Sequence, residues 1–85
     1  MKRPNGREIT TGNGILAALK LRIALSTDAL CEWAGKESGL TEDQFVSDWW
    51  KRLVYRVAVK LEKRGLLASA KCYNGKNYER VWRRN

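Results

Sequence analysis

Histidine is absent from the 85 residues. That removes the commonest general base and the commonest zinc ligand together. Cysteine is scarce. Cys31 and Cys72 lie far apart in the chain, too few for a zinc site without histidine and without the close spacing of a redox pair. They read as free, partly buried thiols of a reducing compartment, which points to the cytoplasm. No apolar run reaches the roughly 20 residues of a membrane span, and no signal-peptide pattern opens the chain. A glycine-rich phosphate loop is missing. The 9 carboxylates are scattered, with no isolated apolar pair to drive pKa values apart. Serines and threonines are present, but nothing activates them. The expectation is a binding protein rather than an enzyme, with no cofactor, no metal and no small-molecule substrate.

What remains is a mix suited to a folded chain, with 44% hydrophobic and 31% charged residues. A mass of 9.8 kDa leaves room for one core and hence one domain. Basic residues number 17 against 9 acidic, a net charge of +8. Residues 1–43 hold six of each sign, whereas residues 44–85 hold eleven basic and three acidic. The whole excess therefore belongs to the second half. A one-sided basic surface is the footprint of a polyanion binder. The plain alternative is a solvated face that maintains solubility.

The first segment holds Lys2, Arg3, Pro4, Gly6, Arg7, Thr10, Thr11, Gly12 and Asn13. Turn formers without a period predict a flexible basic tail over residues 1–13, followed by one domain over 14–85. Residues 15–25 predict a first helix, apolar on most sides: Ile15, Leu16, Leu19 and Ile23 on one stripe, Ala18, Leu21 and Leu25 on another. Such a helix is central, or else it carries the seam of a homodimer. Ser26 and Asp28 mark the start of a second helix, with Ala29, Leu30, Trp33 and Ala34 inward and Gly35 or Gly39 ending it.

Thr41 and Gln44 form a capping box, and Leu40 with Phe45 a hydrophobic staple. The third helix runs from there to Arg64, as one helix or as two divided at Ser47-Asp48. Val46, Trp50, Leu53, Val54, Val57 and Leu61 fall on one narrow stripe. Lys63 and Arg64 suit the end of its dipole, and Gly65 stops it. Two strands then flank Asn74-Gly75, a strong hairpin signal. A two-residue turn pairs Leu67 with Trp82, Ser69 with Arg80, Lys71 with Tyr78, and Ala68 with Val81. An isolated hairpin is barely stable, so this one must pack on the helices.

The run Val54-Tyr55-Arg56-Val57-Ala58-Val59-Lys60-Leu61-Glu62-Lys63-Arg64-Gly65-Leu66-Leu67 resembles the recognition helix of winged helix-turn-helix DNA-binding domains and the stretch leading to their wing. Ser26-Thr27-Asp28-Ala29-Leu30-Cys31-Glu32-Trp33-Ala34 is similar to the helix before it. The resemblance covers residues 14–83, and its specific part is the Leu-Glu-Lys-Arg-Gly-Leu-Leu run, which occurs in bacterial and phage sequences. The spacing from Ala34 to Val54 is longer than in compact members. The resemblance implies an α+β, mostly α fold: three helices with a C-terminal two-stranded β-hairpin wing. It implies double-stranded DNA as partner, a recognition helix in the major groove and the wing on the backbone. The small size fits a transcription regulator of bacterial, phage or other mobile-element origin.

On the third helix, the side away from the core carries Asp48, Lys51, Arg52, Tyr55 and Val59, with Arg56 on its flank. Arg and Lys there match guanine and phosphate, and Val59 a thymine methyl. The candidate DNA contacts are Ser47, Lys51, Arg52, Tyr55, Arg56 and Lys60 on the helix, and Lys71, Lys76 and Asn77 at the hairpin tip. The plain readings are a solvated helix face and a charged tip that blocks edge-to-edge pairing. Tyr73 and Tyr78 read as cross-strand packing or as stacking groups. Trp50 reads as core; Trp49 lies at the stripe's edge, half exposed. Two other classes of function stay open: a protein-interaction module anchored on Trp49, Tyr55 and Val59, and a nucleic-acid-binding subunit of a replication or packaging assembly.

Overall fold

Helices form here where a cap meets an apolar period. The computed structural model describes residues 6–85 except Asn74. In order these residues form α1 (Gly6–Lys20), β1 (Leu25–Ser26), α2 (Thr27–Glu37), α3 (Glu42–Phe45), α4 (Asp48–Lys63), β2 (Leu67–Tyr73) and β3 (Tyr78–Arg84). The fold is α+β, mostly helical, with an antiparallel three-stranded sheet of order β1-β3-β2.

Helix α1 begins at Gly6, so residues 6–13 are helical and not the tail that their turn formers predict. Tertiary packing overrides their weak propensity. Thr11 is buried, and its hydroxyl donates to the Arg7 carbonyl at 2.7 Å. A side chain at Gly14 would stand 2.5 Å from Ser38 Oγ and 2.9 Å from the Ala34 carbonyl oxygen. That glycine is the close approach between α1 and α2. Lys2, Arg3 and the rest of residues 1–5 lie outside the described residues.

The same helix ends at Lys20, earlier than its apolar period suggests. Arg22 folds back, its Nη1 donating to the Ala18 carbonyl at 3.0 Å and its guanidinium lying 3.7 Å over the Trp33 ring. Leu21 and Ile23 consequently point outward, and Leu25 joins a strand instead of the helix. Ser26 does two jobs. It pairs with Val81 across the sheet, and its Oγ accepts from the Ala29 N–H at 3.3 Å as the cap of α2.

Gln44 Oε1 accepts from the Thr41 N–H at 2.9 Å, as the capping box requires. The chain then breaks at Ser47, and the expected third helix is two, α3 and α4. The break takes Val46 off the apolar stripe and leaves it exposed. Helix α4 closes with Gly65 at φ 80°. Leu66 N–H donates to the Leu61 carbonyl and Gly65 N–H to the Glu62 carbonyl, both at 3.0 Å. These are the two bonds of a Schellman stop.

The hairpin register differs from the two-residue-turn expectation. Tyr73 faces Tyr78, Lys71 faces Arg80, Ser69 faces Trp82 and Leu67 faces Arg84. The loop thus has four residues, 74–77. A slip of two preserves every side chain's face, so Leu67 and Trp82 still point to the core. It also opposes two tyrosine rings, 5.3 Å apart between centroids, on the last rung. Asn74 itself lies outside the described residues.

The core lies between α1, α2, α4 and the base of the hairpin, with Ile15, Leu30, Val54 and Trp82 fully buried. Two indoles pin the elements together. Trp50 Nε1–H donates to the Cys31 carbonyl at 2.8 Å, joining α4 to α2. Trp82 Nε1–H donates to Thr27 Oγ1 at 3.0 Å, and that hydroxyl donates to the Arg80 carbonyl at 3.2 Å, joining β3 to α2.

Candidate nucleic-acid interface

Helix α4 buries Trp50, Leu53, Val54, Val57, Ala58 and Leu61. At 100° per residue the remaining positions form one outward strip. Lys51, Arg52, Tyr55, Arg56 and Lys60 all lie on it and are exposed. Lys51 and Arg52 make no ion pair with any described residue. Val59, expected on this face, is half-buried against the core.

The strip has two edges. Toward the hairpin, Tyr55 meets Trp82 edge-on, with centroids 6.0 Å apart at 82°. Glu62 accepts from the Ser69 hydroxyl and lies 3.9 Å from Arg80 Nη1, which itself donates to Ser69 Oγ at 2.9 Å. These contacts fix which face of the hairpin turns toward α4. Lys71 lies on that same face by strand alternation. Lys76 and Asn77 are exposed at the tip.

Toward α1, the first turn of that helix borders the strip. Arg7 lies 5.6 Å over the Trp49 ring. The Glu8 carboxylate reaches Lys60 Nζ at 3.0 Å and Arg56 Nε at 3.6 Å. Its side chain is only 12% exposed, against 59% for Arg56 and 55% for Lys60.

Of the nine sequence-derived candidates, five therefore share one face of α4, and Lys71, Lys76 and Asn77 are carried by the adjacent hairpin. Ser47 stands apart. It is half-buried, and its hydroxyl donates back to the Gln44 carbonyl at the α3–α4 break. Sequence reasoning passed over Arg7, Glu8 and Arg80 as parts of this surface. Glu8 lies in the first turn of α1, where an acid suits the helix dipole, but one acid among turn formers is too weak a signal to mark the helix.

The two thiols sit in different surroundings. Cys31 is buried, whereas Cys72 is exposed, contrary to the expectation that both are partly buried. Burial, helped by Asp28, pushes the Cys31 thiol up to about 11, which keeps it protonated and unreactive at neutral pH. Among the described residues no group of three or more Cys, Asp or Glu is placed to hold a metal ion. No described helix is long and apolar enough to cross a membrane. No family model matches this chain, and no curated protein and no solved structure is significantly similar to it.

Proposed function

We propose that this chain is a winged helix-turn-helix protein that binds double-stranded DNA, with α4 in the major groove and the β2–β3 hairpin along the neighbouring backbone. The observation that carries the reading is the outward cationic strip of α4, with Lys51, Arg52 and Arg56, set beside a basic-tipped hairpin whose basal half is held by α4's own contacts. Element order adds support, since a helix, a short strand, further helices and a hairpin pairing back onto that strand suit a recognition helix flanked by a wing. So does charge, because all of the +8 excess lies in residues 44–85. In such a complex Lys51 and Arg52 meet base edges or phosphate, Tyr55 lies against the backbone, and Lys71 and Lys76 neutralise phosphates. A small regulator of transcription is the role that follows.

Selection of bound sequences from random duplex DNA, run at two salt concentrations, tests this directly. The expected result is an enriched motif with affinity that drops as salt rises. Absence of retention on any duplex, or preference for single strands or RNA in competition, overturns it.

A further inference from the structure

Glu8 is a carboxylate placed against the two cations on the α1 side of the proposed DNA surface. It comes from the first turns of a different helix, 52 residues away from Lys60 in sequence. An acid on a DNA-facing surface opposes phosphate approach, so its presence needs an account. The geometry supplies one. Glu8 approaches Arg56 at Nε, while more than half of the Arg56 side chain remains exposed. A guanidinium has five N–H donors in a planar fork. Engaging Nε leaves the two terminal nitrogens for an end-on, bidentate contact with guanine O6 and N7. On Lys60 the same carboxylate acts differently, since a 3.0 Å pair offsets a charge that any phosphate would otherwise attract.

We infer that Glu8 is a positioning residue for sequence readout: it holds Arg56 with its fork directed outward and, by occupying Lys60, weakens binding to arbitrary duplex. The inference rests on the DNA-binding reading above. Glu8 orients the reader and suppresses the non-specific background, so it raises the ratio between the two kinds of site.

The test compares the full chain with Glu8→Gln, which keeps the size and removes the charge. Both are titrated with the duplex recovered by selection, with that duplex carrying a substitution at each guanine in turn, and with a random-sequence duplex, over a range of salt. Urea unfolding of both proteins controls for folding. For Glu8→Gln, discrimination at one guanine is expected to fall about tenfold. Random-duplex binding should tighten, with a log–log salt slope steeper by about 0.9, one added phosphate contact. In an Arg56→Lys background, which lacks the fork, Glu8→Gln should leave discrimination unchanged. Equal discrimination and equal slope in wild type and Glu8→Gln overturn the role of Glu8 while leaving DNA binding intact. Failure of the wild-type chain to bind any duplex overturns both. If Glu8→Gln is poorly folded, Lys60→Gln serves for the second half. It should weaken random-duplex binding little, because Glu8 already offsets Lys60, and a large loss there overturns the inference.

Discussion

Arg52 sits near the middle of α4's outward strip with no described carboxylate against it, whereas Arg56 and Lys60 share Glu8. Under the DNA-binding reading, Arg52→Ala should cost about 1–3 kcal/mol at a selected site and much less on random duplex. Lys76→Ala should weaken both alike; fluorescence anisotropy on the two duplexes separates these outcomes. The thiols differ just as sharply. At pH 8 a disulfide reagent should modify Cys72 quickly and Cys31 only once urea is added. The Cys31 shift has a stability consequence too. Its thiol is raised from 9.0 to about 11 on folding, so the neutral form is favoured in the native state. The corresponding stability is fully present below pH 9.0 and is lost as pH rises toward 11. Cys31→Ala should flatten that part of the stability–pH curve. At this scale the sequence was informative for Lys51, Arg52 and Tyr55, because a strong apolar stripe leaves the opposite positions no choice. It was silent on Glu8, because nothing local in residues 6–13 announces a helix that packs against α4.

Elements were legible wherever their signals are local. The caps at Ser26 and Thr41 and the Gly65 stop each depend on a few neighbouring residues, and each appears where expected; the hairpin is present, but its loop spans four residues rather than the expected two. The misread boundaries depend on contacts between distant residues. Helix α1 starts early because Thr11 is buried and Gly14 admits α2. It stops early because Arg22 takes up the Ala18 carbonyl and covers Trp33. The β3 strand is likewise tied down by a distant partner, since Trp82 lies in the core and its indole donates to Thr27. That hydroxyl is the joint between the sheet and α2. Thr27→Val keeps the shape but strands a buried indole N–H and the Arg80 carbonyl. It should lower stability by about 1–3 kcal/mol, seen as a lower urea midpoint with an unchanged m-value.

At the scale of the molecule, the Cα radius of gyration is 12.3 Å, close to the about 12 Å expected for a compact chain of this length. The base of the hairpin packs on the body, with Leu67 and Trp82 buried, while its outer half, residues 71–73 and 75–79, is exposed. Under the DNA-binding reading, its tip and α4 serve as parts of one cationic surface. If about six basic side chains meet phosphates, the log of the affinity should fall with the log of salt at a slope near −5, measurable by anisotropy from low to moderate ionic strength. The α+β class was readable from the switch in period after Gly65. The third strand was not, because two residues carry no period, and Leu25-Ser26 is recruited only by the edge that β3 offers.

That short strand has a mechanical consequence. Ser26 is both the first peg of α2 and the partner of Val81, so hairpin and helices cannot swing independently. A protein braced in this way behaves as a fixed caliper. Under the DNA-binding reading, it would prefer duplexes whose grooves already have the matching width and reject those that must be bent to fit, even where every touched base is the same.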